Sequence, residues 1–126
     1  MKQTYRAVQA AAPSVLELVE RLRPVPAPKE VLLEVEACGI CGADAGDVNA
    51  VRDTPRVLGH GVVGRIIETG ANVPAMWKPS RRVVVGRLGG HGNECSLCRQ
   101  GLFQLCRHQQ LVGSCCDGGY AEMMFA

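Results

Sequence analysis

Residues 58 to 65 read LGHGVVGR, with glycines at 59, 61 and 64 on either side of His60. That spells G-x-G-x-x-G, the pattern whose backbone cradles a dinucleotide pyrophosphate, and accepting it would commit the domain to a doubly wound parallel sheet. The pattern has that meaning only behind a strand, at the start of a helix, and about 20 residues ahead of an acid. None of these holds. Pro55 leaves only Arg56, Val57 and Leu58 for a preceding strand, RIIETG follows Gly64, and the segment near position 80 reads WKPSRR without an acid. RIIET favours strand and is stopped by Gly70 before a helix could form. Residues 61 to 69 are therefore predicted to be a strand, with His60 in a glycine turn at its head. A lone histidine there is most simply a turn residue, so the rest of the chain decides its role.

Around this strand the chain alternates short apolar runs with turn-forming residues. TYRAV (4 to 8), VLELV (15 to 19), VLLEVEA (31 to 37), RVVVG (82 to 86) and GYAEMMF (119 to 125) read as strands, separated by Pro13 and by RPVPAPKE at 23 to 30. CGADAGDVNA (41 to 50) is predicted to be a short helix weakened by Gly42 and Gly46. The segment 89 to 106 is predicted to be a polar, cysteine-studded loop. Many short strands with few helical pieces indicate a mainly β (α+β) domain, barrel-like in kind.

With 126 residues, one domain over 1 to 126 is expected, and the strand-like run ending at Ala126 reads as cut from something longer. Apolar residues at 47% and charged residues at 21% exclude disorder, while 15 glycines and 7 prolines fit a turn-rich chain. The net charge of +2, with only Arg81 and Arg82 adjacent, argues against nucleic acid as a partner. No run approaches the roughly 18 apolar residues of a membrane span, and the N-terminus lacks a leader pattern, so no membrane partner and a cytoplasmic location are expected.

Seven cysteines, an odd number, stand at 38, 41, 95, 98, 106, 115 and 116. Without a secretory signal they point to buried, reactive or metal-bound thiols instead of a disulfide framework. Cys95-x2-Cys98-x7-Cys106 has the step of zinc thiolates, but a closed tetrahedral site needs a fourth ligand. One further C-x2-C step back falls on Gly92, and the neighbouring His91 is a candidate substitute. Cys38-x2-Cys41 lies at a strand end and taken alone reads as a redox pair or half a zinc ribbon. The adjacent Cys115 and Cys116 read as packing residues.

Taken in order, ACGICGAD (37 to 44), LGHGVVGRIIETG (58 to 70), GGHGNECSLCRQGLFQLC (89 to 106) and DGGYAEMM (117 to 124) resemble the N-terminal catalytic domain of zinc-dependent alcohol dehydrogenases of the medium-chain dehydrogenase/reductase superfamily. The resemblance spans nearly the whole chain. It implies a GroES-like, partly open β-barrel with a Cys-rich structural-zinc lobe at 89 to 106, and NAD(P) bound by a Rossmann domain that is absent from these residues. It implies a catalytic zinc on Cys41 and His60 with Asp44 behind it, and a structural zinc on Cys95, Cys98 and Cys106. Substrates of such a family are small alcohols or aldehydes, and a homo-oligomer is possible.

Three positions depart from the family pattern. Ala43 replaces a Ser or Thr hydroxyl that passes the alcohol proton, Gly61 replaces the Glu of GHE, and Gly92 replaces the first lobe cysteine. Gly61 is what created the false dinucleotide pattern. Asp44 is retained, and its carboxylate can accept the hydrogen bond that orients a liganding imidazole. The expectation is a zinc-dependent alcohol dehydrogenase-like oxidoreductase domain, inactive as the isolated chain. The alternative is a degenerate, non-catalytic zinc-binding or scaffold remnant. A zinc-ribbon nucleic-acid binder is disfavoured by the missing second knuckle and the near-neutral charge.

Overall fold

The computed structural model describes residues 2 to 126. Its elements, in chain order, are β1 (Thr4–Ala12), β2 (Val15–Leu22), β3 (Val31–Cys38), α1 (Gly42–Asn49), β4 (Arg56–Val57), β5 (Val62–Thr69), β6 (Arg82–Val85), β7 (Leu88–Gly90), α2 (Ser96–Arg99), a 3-10 turn (Phe103–Leu105), β8 (Gln110–Leu111) and β9 (Met123–Phe125). Each predicted strand segment contains a strand and the helix forms, although the strand predicted over 119 to 125 is limited to Met123–Phe125 with an isolated bridge at Ala121. The segment 89 to 106 is more ordered than the predicted loop: it holds the end of β7, all of α2 and the 3-10 turn. The strands not expected from sequence, β4, β7 and β8, have only two or three residues and carry no readable periodicity, so tertiary closure produces them.

Pro13 and Ser14 make the β1–β2 turn, where Ser14 takes φ 61° and its N–H bonds the Val48 carbonyl of α1 at 3.0 Å. The strands form three open sheets, β2-β1-β4, β6-β5-β3-β9 and β7-β8, and no closed ring of strands exists among the described residues. The first two sheets touch where Ala7 bridges Ala121, with Val8 N–H on Tyr120 O and Glu122 N–H on Arg6 O. Closure stops there because β4 has two residues and β9 three, too short to carry ladders across.

The core lies on one face of the four-stranded sheet, where Leu33, Val62, Ile66, Val85, Val112 and Met124 pack together. Alternation on β3 and β5 supplies it: Leu33 pairs with Ile66 and Cys38 with Val62 across an antiparallel ladder. That ladder positions the site. The C-terminal end of β3 lies against the N-terminal end of β5, so Cys41, three residues past one, meets His60, two residues before the other.

The glycines of LGHGVVGR each have a structural role. Gly59 has φ +99°, and a Cβ there would lie 2.8 Å from Tyr120 Cδ1 and 2.9 Å from Cys38 Sγ. Gly61 has φ +78°, and at Gly64 a Cβ would come within 2.6 Å of the Glu34 carbonyl oxygen. Left-handed backbone and close strand approach explain all three, with no phosphate required. No helix among the described residues is long and apolar enough to cross a membrane.

Candidate metal centres

Cys41 ends the β3–α1 turn and caps α1, while His60 sits in the β4–β5 turn. Gly39 N–H donates to Gly61 O at 3.1 Å and ties the two turns together. A second clamp holds the His60 turn against residues 117 to 120: Gly118 N–H bonds Val57 O, Gly119 N–H bonds Gly59 O and Tyr120 N–H bonds Leu58 O, at 2.8, 3.0 and 2.9 Å. Asp117 reinforces it by accepting Val57 N–H at 3.0 Å and an Arg21 guanidinium N–H at 2.6 Å. Backbones can approach this closely only because position 118 is glycine, where a Cβ would lie 2.1 Å from Gly59 O.

The result brings Cys41 Sγ to 2.9 Å from His60 Nε2. Cys41, Asp44 and His60 offer ligand-type atoms that all lie within 4.8 Å of one another. Asp44 is buried; its Oδ2 accepts the Cys41 N–H at 2.7 Å, the carboxylate half of a capping box. Its other oxygen, Oδ1, stands 3.8 Å from His60 Nδ1, and both atoms are buried without a hydrogen-bond partner. Asp44 thus faces the imidazole at a distance longer than a hydrogen bond.

These atoms fit a metal ion with a small adjustment. Bond lengths at tetrahedral zinc set a thiolate sulfur and an imidazole nitrogen about 3.5 Å apart, so Cys41 and His60 would part by about half an ångström. Moving His60 the same distance toward Asp44 would give both orphaned atoms a partner, which favours the arrangement because unpartnered buried polar atoms are costly.

Cys38 is not part of this group. Its Sγ is turned toward the His60 carbonyl at 3.8 Å and packs on the core, and burial pushes its thiol up to about 11. With Cys38 outside the group and Cys41 paired instead with His60, the arrangement gives no support to the redox-pair and zinc-ribbon readings of Cys38-x2-Cys41. Tyr120, which sequence reasoning did not single out, lies over Gly59 with its hydroxyl 3.4 Å from Gly39 O. Burial and then the neighbouring Asp44 raise its pKa, so the hydroxyl is neutral.

The second group is Cys95, Cys98 and Cys106. Cys95 caps α2 and Cys98 is its third residue, so both point to one side, and Cys106 returns after the 3-10 turn. Cys95 Sγ lies 3.6 Å from Cys98 Sγ and 4.0 Å from Cys106 Sγ. The edge between two thiolates on tetrahedral zinc is about 3.8 Å, so this triangle already has the size a zinc ion requires. Backbone donors surround it. Gly92 N–H and His108 N–H each lie 3.3 Å from Cys106 Sγ, and donors from Arg107 and then Cys98 pull the Cys95 thiol down to about 6. Burial, then hydrogen bonds with Cys106 and Cys95, push Cys98 up to about 11.

The remaining sequence expectations divide. His91 does not join the thiols; its ring stacks on Phe103 with centroids 4.3 Å apart. Cys116 packs against the core as expected, whereas Cys115 is exposed, because successive residues there face opposite sides. A Cβ at Gly61 meets nothing within 4 Å, and one at Gly92 lies 4.0 Å from Cys106 Sγ, at the open corner of the thiol triangle.

The sequence matches the family described as Alcohol dehydrogenase GroES-like domain over residues 27 to 126. Alcohol dehydrogenase patD of Aspergillus clavatus is 44% identical over 95 residues, 74% of this chain and 24% of that protein. Alcohol dehydrogenase notN of an Aspergillus species is 36% identical over 125 residues, 97% of this chain and 37% of that protein. Among solved structures, a short chain alcohol dehydrogenase from E. coli complexed with NADH superposes with TM-score 0.90 at 28% identity, covering 99% of this chain and 36% of that one. A thermostable alcohol dehydrogenase from Pyrobaculum aerophilum gives TM-score 0.86 at 27% identity, covering 98% of this chain and 38% of that one. The chain thus spans between about a quarter and two-fifths of the relatives it matches. On sequence and structure together, it belongs to the alcohol dehydrogenase GroES-like domain family, and one relative, 32% identical over 127 residues, is named an uncharacterized zinc-type alcohol dehydrogenase-like protein of Haemophilus influenzae.

Proposed function

We propose that this chain is the metal-binding domain of a zinc-dependent, NAD(P)-linked alcohol dehydrogenase-like oxidoreductase acting on a small alcohol or aldehyde. The observation that carries the proposal is the 2.9 Å approach of Cys41 Sγ to His60 Nε2 with the unpartnered Asp44 Oδ1 behind the imidazole. Cys41 and His60 would hold the catalytic zinc, and Cys95, Cys98 and Cys106 the structural one. The domain would be a GroES-like, partly open barrel over residues 1 to 126 with its zinc lobe at 89 to 106.

Cys41 and His60 would hold a zinc ion that would supply Lewis acidity toward the substrate oxygen, and the nicotinamide of NAD(P) would supply the hydride chemistry. His60 ligates through Nε2 only when neutral, which leaves the proton on Nδ1, the atom facing Asp44. Asp44 would fix that tautomer once His60 draws in to hydrogen-bond distance, and through Oδ2 on the Cys41 N–H it holds the start of the helix that carries the thiol. Ala43 has no hydroxyl, so it cannot take the substrate proton from the site.

Two protein ligands hold zinc weakly, and LGHGVVGR is a turn for His60 and not a dinucleotide loop. The isolated chain is therefore inactive in alcohol oxidation. Purified chain supplied with zinc, NAD+ or NADP+ and a panel of primary and secondary alcohols is expected to give no reduced cofactor; turnover lost on Cys41→Ser would contradict this. The losses at Ala43, Gly61 and Gly92 favour a second reading, a remnant that keeps zinc without catalysis. It predicts that a longer form carrying the cofactor domain is also inactive.

A further inference from the structure

The lobe has three thiols in zinc geometry and no cysteine at its fourth corner, and the side chain nearest the position of the missing one is His108. A Cβ on Gly92, pointing where the missing cysteine would reach in, meets His108 Cβ at 3.5 Å and Cδ2 at 3.9 Å before Cys106 Sγ at 4.0 Å. Cδ2 is the ring carbon bonded to Nε2. The His108 backbone is already anchored on the site, since its N–H lies 3.3 Å from Cys106 Sγ. Among the described residues no group hydrogen-bonds the His108 ring, which is exposed and free to turn, whereas the His91 ring is occupied by its stack on Phe103.

Resting on the reading of Cys95, Cys98 and Cys106 as zinc thiolates, we propose that His108 is the fourth ligand, closing a Cys3His site in which an imidazole two residues past Cys106 replaces the thiolate lost at Gly92. The ring nitrogens lie outside the 4.8 Å group that the three sulfurs form, so a side-chain rotation of His108 accompanies metal entry. Imidazole nitrogen bonds zinc at about 2.0–2.1 Å against about 2.3 Å for thiolate, and Cys3His is a closed structural set. The substitution also leaves the loaded site with one negative charge instead of two. A soft, borderline divalent ion, zinc or its cobalt or cadmium stand-in, is the ligand class.

The experiment uses the full 126-residue chain with Cys41→Ser, so that only the lobe binds tightly, loaded with cadmium-113 and labelled with nitrogen-15 on histidine. Cadmium–nitrogen scalar coupling to the His108 ring, and to no other histidine, is the expected result. In zinc competition against a chromophoric chelator, His108→Ala is expected to weaken binding about tenfold or more, His91→Ala to leave it unchanged, and Gly92→Cys added to His108→Ala to restore it. Absence of coupling to His108, or parent-like affinity in His108→Ala, overturns the proposal while leaving the three-thiolate lobe intact. Metal uptake that is insensitive to Cys98→Ser overturns both the lobe and the fourth ligand.

Discussion

Replacing Gly118 with alanine adds one methyl group at the point where the His60 turn is clamped to residues 117 to 120. The added Cβ would lie 2.1 Å from Gly59 O, 2.7 Å from Leu58 O and 2.9 Å from Gly113 Cα. All three neighbours are backbone, so no side chain can rotate away, and the clamp must open by about an ångström to reach ordinary contact. Overpacking of this kind costs about 1–3 kcal/mol, and the rigid surroundings place Gly118→Ala at the upper end. At roughly 2.1 cal/mol/K per residue of unfolding entropy, a domain of this size loses about 4 °C of Tm per kcal/mol, so a fall of about 8 to 12 °C is expected. The control is Gly46→Ala in α1, where a Cβ meets nothing within 4 Å and alanine favours the helix by up to about 1 kcal/mol. Thermal unfolding followed by circular dichroism reads both. Zinc content adds the functional half: Gly118→Ala should lose metal at Cys41 and His60 before the lobe, because the clamp positions His60 and does not touch Cys95, Cys98 or Cys106. A Gly118→Ala protein that melts with wild type, or that melts low while keeping a full complement of zinc, would refute the reasoning.

Acid stability reports on Glu122, whose hydrogen bonds from Arg6 hold its carboxyl down at about 2 from an ordinary 4.5. Because the folded value is depressed, the stabilisation is fully present above the ordinary value and is lost as pH falls toward about 2. Thermal melts from pH 6 to 2 should show a shallower decline in Glu122→Gln than in wild type; parallel curves would contradict it. Leu33→Ala removes a fully buried side chain facing Ile66 and should cost about 2–5 kcal/mol in urea unfolding. Chelation or Cys98→Ser should expose the lobe thiols to a colorimetric thiol reagent together and lower Tm, since metal binding at such a site contributes directly to folding. The same melting curve with and without chelator would speak against a metal-held lobe.

Much of this architecture is legible in the sequence because its long strands carry their own pattern. VLLEVEA and VVGRIIET alternate or run apolar over seven and eight residues and pair as β3 and β5, and their antiparallel register brings the turns that carry Cys41 and His60 side by side. β4, β7 and β8 escape because two or three residues hold no period, and their formation depends on partners far along the chain. The clamp at Gly59, Gly113 and Gly118 is equally hidden: spacing reveals glycine, but only the folded backbone reveals which approach needs it. LGHGVVGR shows the same limit in reverse, since a true string of glycines has three separate local causes. Asp44 is recognisable as the partner of His60, whereas the 3.8 Å gap and the two orphaned atoms are properties of packing alone. The search for a fourth lobe ligand near Gly92 in sequence leads to His91, yet the chain returns His108 to that corner from sixteen residues away.

The central claim is that Cys95, Cys98 and Cys106 are zinc thiolates, and the measurement that tests it most directly is zinc K-edge X-ray absorption, with metal content, on the purified chain and on Cys98→Ser. The account predicts zinc in the wild-type lobe with a sulfur-dominated first shell near 2.3 Å, and loss of that shell in the variant. Purified chain that takes up no zinc when supplied with it, or zinc whose first shell holds no sulfur, would contradict it.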